Sequence, residues 1–370
     1  MALSNVGNVG NVGNVGNVGN VGNVGNVGNV GNVGSEAIGS ASSGALILAR
    51  DGVVGFWREP SESPTHLGFN DPDHLARWDS ASRLAAVQFE VMQGLTLAQE
   101  PNESMSVSYD GQPLVLLRRP DVPSLTMQLD LLKSYADLRS DRASEILAQV
   151  GEVISTISLP ISMNLQRHKW TLEFLQATVL PIITLEKAMK HALACRRPAE
   201  YSAQIQPMIT TPAHGALPSG HSVESFAIAT ILGAVISGAN MPNAGEHGLH
   251  MLHHATRIAQ NRVVAGVHFP VDNMAGALMG ITLANHLVAR AKNAATCVQG
   301  VALKGGADCA DTHVYGDFDL GELMGPNGVF NGQETHNYEP IAASGAKKTA
   351  TLSATPLLAE MWQRAVAEWT

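Results

Sequence analysis

Three short polar blocks, set among apolar helical segments, constrain this 370-residue chain more than any other feature. They lie between residues 190 and 272, and each contains a proline beside cationic, hydroxyl or imidazole side chains. The neighbouring segments carry apolar residues at helical spacing, over 222–238, 250–264 and 270–292. The pattern predicts packed helices whose polar blocks share one task.

Helical spacing over most of the chain predicts an all-α fold, with a helical-bundle core and irregular N- and C-terminal segments. Residues 46–300 are predicted to form a single helical domain, with its core at 125–292. The proline-rich first part of this domain is predicted to be irregular, apart from one helix over 79–99. Residues 301–370 are predicted to be a loop-rich extension packed on the domain, with one short helix over 357–368.

A low-complexity segment precedes this domain. From Asn5 to Gly34 the tripeptide Asn-Val-Gly repeats ten times, and a Gly/Ser/Ala spacer follows to residue 45. Such a composition is too rich in glycine to build an independent core. We therefore predict that residues 1–45 are a disordered tail, with a strand-like adhesive or partner-binding arm as the alternative.

Charge and cysteine content exclude several classes of partner. The net charge is −9, and no run of Lys and Arg could follow a nucleic-acid backbone, so we predict small-molecule substrates and no nucleic acid. Cys195, Cys297 and Cys309 are too few and too irregularly spaced for a disulfide framework or a Cys-rich zinc site. The sequence leaves a homo-oligomer open.

The N-terminus and the hydropathy pattern bear on localisation. Met1-Ala2-Leu3-Ser4 lacks a basic region followed by an apolar core, so no secretory signal is visible. The most apolar stretch, Val223 to Ala239, is shorter than a comfortable membrane span and contains Glu224, which favours a buried core helix. We predict a soluble, cytoplasmic protein without an integral membrane span, and leave export open.

The first two blocks combine cations with a helix start. Lys190 and Arg197-Pro198 supply a compact charge and a planar fork, which together suit a multiply charged anion. In Pro218-Ser219-Gly220-His221, a hydroxyl and the amides of a following helix are donors for the same anion, and His221 is suited to proton transfer. Taken singly, a basic helix end and a simple capped turn are the alternatives.

The third block is Asn261-Arg262, five residues, and then His268-Phe269-Pro270-Val271-Asp272. Arg262 adds another fork, and His268 offers a neutral nitrogen as ligand or nucleophile. Asp272 can reach back from the first helical turn to fix the imidazole tautomer. Taken alone, a structural histidine is the alternative.

Together the blocks resemble those of the superfamily that comprises type 2 phosphatidic acid phosphatases, bacterial acid phosphatases and vanadium-dependent haloperoxidases. The resemblance covers residues 125–292 at the level of helices and implies their helical-bundle catalytic domain. One position departs from the family pattern, because Asn261 stands where the family usually has serine. The family's arginine is kept at Arg262.

The resemblance implies roles for individual residues. The oxyanion is held by Lys190, Arg197, Ser219, the Gly220 amide and Arg262, and the catalytic residues are His221, His268 and Asp272. In the haloperoxidase branch His268 ligates vanadate as the metal centre. In the phosphatase branch it attacks phosphorus and forms a phosphohistidine, while His221 protonates the leaving oxygen and then activates water.

Two flanking positions and the lack of a visible membrane span favour one of the branches. His214 and Lys187 resemble the residues that flank vanadate in bromide-oxidising enzymes, with a loop histidine and a solvated lysine as the alternatives. We therefore predict a haloperoxidase-like enzyme, closest to the soluble bacterial members, that oxidises bromide or iodide with hydrogen peroxide at vanadate. The alternative is a soluble phosphatase that hydrolyses phosphate esters and needs no cofactor.

A second alternative is a zinc-binding or structural helical protein. It depends on four histidines whose spacing could place two or three imidazoles on one helix face. The cluster lacks the His-Glu-x-x-His order of a zinc protease. Its members are His247, His250, His253 and His254.

Overall fold

The structure is a computed structural model in which two compact units, Met1–His66 and Leu67–Thr370, are distinguished. The predicted disordered tail at 1–45 lies outside the described residues. All three polar blocks belong to the second unit. The structure describes residues 50, 52–53, 65–151, 153–238, 245–295, 298–305, 314–324, 333–341 and 355–370.

Helices predominate in this unit, and those predicted around the blocks are present with small shifts of their ends. Pro181 lies inside the longest helix, at a position where proline commonly kinks a helix. The helices are α1 Pro72–Arg77, α2 Ser80–Met92, α3 Val122–Tyr135, α4 Arg139–Ala148, α5 Val153–Ser158, α6 Lys169–Leu193, α7 Pro198–Tyr201, α8 Gly220–Ser237, α9 Gly245–Val264, α10 Pro270–Ala291 and α11 Pro356–Ala367.

A mixed five-stranded sheet accompanies the helices, so the predicted all-α fold is wrong. The strands are β1 Leu95–Glu100, β2 Ser104–Tyr109, β3 Gln112–Arg118, β4 Val301–Leu303 and β5 Tyr338–Pro340, in the spatial order β1-β2-β3-β4-β5. Strands β3 and β4 are parallel, and the other neighbours are antiparallel.

Local sequence features explain why strands form where helical periodicity did not predict them. The predicted helix over 79–99 ends at Met92, because Gly94 has φ of 79° and β1 follows it. A two-residue turn, Asp110-Gly111, joins β2 to β3 with both φ values positive, as a tight hairpin requires. Alternate residues of β2, including Val107, face the core.

Helices α8 and α10 pack at close range in the centre of the core. An added Cβ at Gly280 of α10 would lie 2.5 Å from the carbonyl oxygen of Val223, and one at Gly276 would lie 2.7 Å from that of Ser219. Only glycine permits this approach, which brings the start of α10 to the start of α8. The backbone N–H of Ser219 donates to the Asp272 carbonyl oxygen at 2.8 Å.

The prediction of a soluble protein without a membrane-spanning helix is corrected by α8. Gly220–Ser237 is long and apolar enough to cross a membrane by length and composition, with a mean hydropathy of 1.3. Residues within the protein bury 72% of this window, so α8 is also a core helix. The localisation that we derived from the lack of such a helix no longer has a basis.

Substitution of Gly280 by alanine tests the close packing of α8 and α10. Alanine favours helix by up to about 1 kcal/mol over glycine, but the clash with the Val223 carbonyl is expected to reverse the sign. We expect a net destabilisation of about 1–3 kcal/mol, measured by denaturant unfolding. Gly316→Ala, with no atom near the added Cβ, is the control. A Gly280→Ala protein as stable as the original would contradict the packing.

Candidate active site

The second block forms the first turn of α8. Ser219 is its N-cap, and Gly220 is its first residue, where an added Cβ would lie 3.1 Å from Oε1 of Glu186. The amides of such a turn are free of intrahelical partners, so they suit an anion. The Ser219 hydroxyl is fully buried and has no hydrogen-bond partner among the described residues.

The third block spans the end of α9 and the start of α10. Arg262 lies in the last turn of α9, and His268 precedes the first turn of α10. Gly266 between them has φ of 76°, and a Cβ there would lie 2.6 Å from Nη2 of Arg139. Glycine is therefore required for the chain to turn back and place His268 beside the other blocks.

Two hydrogen bonds fix the tautomer of His268. Its Nδ1 lies 3.0 Å from Oδ2 of Asp272, and its Nε2 lies 3.0 Å from Nη1 of Arg197. Since a guanidinium only donates, Nε2 is the acceptor and Nδ1–H is the donor to the carboxylate. The Asp272 carboxylate is held in turn by the backbone N–H of Phe269 at 2.8 Å. The lone pair of Nε2 is thus directed toward Arg197.

Lys190 from the first block approaches the second block through its ammonium group. Nζ donates to the carbonyl oxygens of Gly215 at 3.2 Å, Ala216 at 3.1 Å and Pro218. It also pairs with Oε1 of Glu186 at 3.2 Å, one helical turn earlier on α6. Burial lowers the pKa of Lys190 to about 8, although Glu186 opposes the shift.

Arg197 joins the first block to the third. It is 3% exposed and donates to the carbonyl oxygens of Val267 at 2.9 Å and His214 at 3.2 Å, besides its contact with His268. Burial lowers its pKa, and Asp272 is the first of the groups that oppose this. The guanidinium therefore stays beside His268 as a fixed donor.

The electrostatic influences on His268 show that the blocks converge. Burial holds its pKa well below the usual range, and four neighbours act in the same direction: Arg197, Lys190, His221 and Arg262. The imidazole is therefore neutral at physiological pH. Burial also raises the pKa of Asp272 to about 6, against the lowering effect of the Phe269 amide and of the cations.

Arg262 is buried but only partly hydrogen-bonded. It is 1% exposed, and its Nη2 donates only to the carbonyl oxygen of Ile146 at 3.3 Å and to Oε1 of Gln149 at 3.4 Å. Its Nε and Nη1 have no hydrogen-bond partner among the described residues, as is true of the Ser219 hydroxyl. Buried donors without acceptors are costly, and a tetrahedral oxyanion would satisfy all three.

We call the predicted anion-binding groups of Lys190, Arg197, Ser219, Gly220 and Arg262 the cradle. His221 lies beside the cradle in the first turn of α8. Its Nε2 lies 2.9 Å from the carbonyl oxygen of Gln149, so that nitrogen carries the proton of the neutral ring. Nδ1 is then the basic nitrogen. Burial lowers the pKa of His221 to about 4, and Arg262 adds to the shift.

His214 and Lys187 lie at the edge of the site. Nδ1 of His214 is 3.2 Å from Nη2 of Arg197, and the residue is exposed beside a cleft of about 520 Å³ that reaches Arg197. Lys187 is half-exposed and pairs with Oε2 of Glu186 at 2.9 Å. His214 therefore contacts the cradle residue Arg197, and Lys187 contacts Glu186, the partner of Lys190.

Two residues that contact the site, Glu186 and Gln149, were not predicted from the sequence. Glu186 precedes Lys190 by four residues on a helix, and that spacing was a usable signal. Gln149 lies on another helix, far before the first block, and no local pattern connects it to the site. Only the tertiary fold brings it to His221 and Arg262.

The histidine cluster lies on α9, before Arg262. His247, His250 and His253 are exposed, and His254 is partly buried. Among the residues that the structure describes, no group of three His, Cys, Asp or Glu side chains could hold a metal ion. The geometry therefore gives the zinc alternative no support.

Part of the chain is similar to a known protein family. Residues 170–295 match the sequence profile of the PAP2 superfamily. A solved structure, the transmembrane PAP2-type phosphatidylglycerolphosphate phosphatase from Bacillus subtilis, is similar at 15% identity and a TM-score of 0.29, over 59% of this chain and 93% of that one. A likeness of this size carries no argument about function. No curated protein matches the chain.

The matched range contains every residue of the cradle and both histidines. It begins on α6, before Lys190, and ends after α10. It also lies within the helical core that the sequence predicted at 125–292, apart from its last three residues. Residues 170–295 are therefore similar to the PAP2 superfamily in the part of the chain that holds the candidate site.

Proposed function

We propose that this protein is a phosphatase that hydrolyses phosphate monoesters through a phosphohistidine on His268. The observation that carries the proposal is the set of buried donors without partners among the described residues, Ser219 Oγ and Arg262 Nε and Nη1, in the site of a neutral His268. The PAP2 match supports the phosphatase branch of the predicted superfamily over the haloperoxidase branch.

In the first step, the phosphoryl group is held by Lys190, Arg197, Ser219, the Gly220 amide and Arg262. These donors neutralise the charge on the three oxygens that do not react. They come from the end of α6, the N-cap of α7, the start of α8 and the end of α9, so the fold positions them before substrate binds. Such preorganisation lowers the barrier because little reorientation accompanies the reaction.

Bond making and breaking follow from the tautomer of His268. When the phosphoryl group binds, Nη1 of Arg197 donates to one of its oxygens and no longer to Nε2 of His268. The Nε2 lone pair then forms a bond to phosphorus, the bond from phosphorus to the ester oxygen breaks, and that oxygen takes a proton from protonated His221. Asp272 stabilises the positive charge that develops on the imidazole through the 3.0 Å hydrogen bond to Nδ1.

In the second step, neutral His221 takes a proton from water. The water oxygen forms a bond to phosphorus, and the bond to Nε2 of His268 breaks. Phosphate leaves, His268 is neutral again, and His221 has regained its proton. The net reaction consumes one water and yields an alcohol and phosphate, with no cofactor.

Halide oxidation, which the sequence favoured, has less support. Its distinguishing residues, His214 and Lys187, contact Arg197 and Glu186 at the edge of the site, and neither contact selects between the branches. The same donors would hold vanadate, which supplies a five-coordinate mimic of the phosphoryl transition state when bound. The vanadate cofactor stays a prediction.

Replacement of His268 tests the covalent intermediate. We expect His268→Ala to lose about a thousandfold or more in kcat toward p-nitrophenyl phosphate, because the nucleophile is gone. Rapid acid quench with a 32P-labelled ester should trap a phosphoenzyme in the original protein and none in the variant. His191→Ala, at an exposed position on α6, is the control and should retain the label.

Two outcomes would contradict the proposal. One is a labelled phosphoenzyme in the folded His268→Ala protein. The other is bromination of a dye by the protein with vanadate and peroxide while it hydrolyses no phosphate ester. Circular dichroism of the variant shows whether it has folded.

The pH profile tests His221 as the general acid. The reactive form needs protonated His221, whose pKa is about 4, together with ionised Asp272, whose pKa is about 6. The fraction in this form rises with pH up to about 4, is nearly level to about 6, and then falls. We therefore expect a bell-shaped dependence of kcat/KM on pH for an alkyl phosphate, with its maximum near the middle of that range.

His221→Asn should change this profile in a way that depends on the leaving group. An alkyl leaving group needs the proton, so kcat/KM should fall by about a hundredfold or more. With p-nitrophenyl phosphate the loss should be smaller, and kcat/KM should rise through about pH 6 to a plateau, because only Asp272 still titrates. Ionisation of the substrate is common to both proteins. Equal losses for the two esters would exclude His221 as the acid.

A further inference from the structure

The C-terminal end of α4 contacts two residues of the candidate site. The main-chain carbonyl of Gln149, the C-cap residue, accepts from Nε2 of His221 at 2.9 Å. Its side-chain Oε1 lies 3.4 Å from Nη2 of Arg262, and the carbonyl oxygen of Ile146 lies 3.3 Å from the same nitrogen. These acceptors lie at the negative end of the α4 dipole, which also favours a cation.

Gln149 is itself held on both sides. It is 3% exposed, its Oε1 accepts from Nδ2 of Asn261 at 2.9 Å, and its Nε2 donates to Oε1 of Glu145 at 3.1 Å. Asn261 Oδ1 accepts in turn from Nη1 of Arg142 at 3.1 Å. The side-chain amides of Asn261 and Gln149 therefore form a hydrogen-bonded chain. Nη1 of Arg142 lies at its Asn261 end, and Nη2 of Arg262 lies at its Gln149 end.

The charged ends of this chain fix the orientation of both amides. Arg142 can only donate, so Asn261 must present its oxygen to Arg142 and its nitrogen to Gln149. Glu145, which also pairs with Arg257 at 2.8 Å, is an acceptor when ionised, so Gln149 must present its nitrogen to Glu145. The Gln149 oxygen is thereby left for Asn261 and Arg262.

This arrangement divides the donors of Arg262 between the protein and the anion. Nη2 is directed to α4, and Nε and Nη1 have no partner among the described residues. For His221, donation from Nε2 to the carbonyl leaves Nδ1 as the nitrogen that can exchange a proton. Gln149 thus contacts Nε2 of His221 and Nη2 of Arg262. The proposed proton transfer uses Nδ1 of His221, and the proposed anion binding uses Nε and Nη1 of Arg262.

We propose that Gln149 is a positioning residue, clamped by Asn261, that orients Arg262 for the oxyanion and fixes the tautomer of His221 through its main chain. The proposal rests on the proposed phosphatase function. It gives a purpose to Asn261 at the position where the resembling family usually has serine, because an amide can accept from Arg142 and donate to Gln149 at once. A serine hydroxyl is too short to hold both contacts in the same way.

The test compares the dissociation constant of inorganic phosphate, measured by calorimetry, in four proteins. Gln149→Met removes the amide and keeps the length of the side chain, and it is made in the original protein and in Arg262→Lys. We expect a roughly tenfold weaker phosphate affinity in the first background and less than about a twofold change in the second, because the effect acts through the guanidinium. Gln88→Met is the control, because Gln88 joins α2 to α6 away from the site. It should leave the phosphate affinity unchanged in both backgrounds.

The pH profile provides a second measurement. The main-chain carbonyl of residue 149 is retained in Gln149→Met, so the limb that reports His221 should stay where it is in the original protein while KM rises. Equal losses of affinity in both backgrounds, or none in either, would overturn the positioning role. The proposed function is tested with the original protein alone, and it is wrong if that protein neither binds phosphate nor hydrolyses an ester. The positioning role is tested only by comparing the variants with it.

Discussion

The close contact between α8 and α10 is the constraint on which the site depends. Gly276 and Gly280 remove the side chains that would separate the two helices, and the Ser219 amide can then donate to the Asp272 carbonyl. This single backbone hydrogen bond joins the second polar block to the third. The Ser219 hydroxyl, the amides at the start of α8 and the His268 imidazole are therefore fixed relative to one another by packing in the core.

Burial of several cations beside one imidazole sets the chemistry. Lys190, Arg197 and Arg262 are each nearly inaccessible to solvent. Burial of His268 lowers its pKa most, and these cations lower it further, so the imidazole is neutral. Such a cluster is unfavourable on its own, since each charge loses hydration and repels the others. A doubly charged anion in the proposed site would offset both effects, so its affinity and the instability of the empty site would have the same origin. The carbonyl oxygens around Lys190 and Arg197 reduce the cost for the protein alone.

The sequence indicated which polar groups lie close together, while their roles in binding and catalysis stay predictions. Its all-α fold class was wrong. The residue types and spacing of the blocks indicate groups that lie close together in the structure. Each block lies at a helix end, where the local sequence alone fixes the backbone around it. Helical periodicity failed at β1, where the apolar run after Gly94 fits either structure, and it overlooked the Asp110-Gly111 hairpin turn. Gln149 could not be predicted, since its relation to Arg262 exists only in three dimensions.

The parallel pairing of β3 with β4 has a consequence for how this chain folds. Val115 pairs with Val301, and all helices within the matched range 170–295 lie between these two strands in the sequence. Parallel pairing over such a distance carries a large loop-closure cost, which is lowered when the intervening chain is already compact. The helical domain is thus expected to assemble first and to bring the two strands into register. The pairing of β3 with β4 would then form late in folding, after the helices that carry the candidate site have packed.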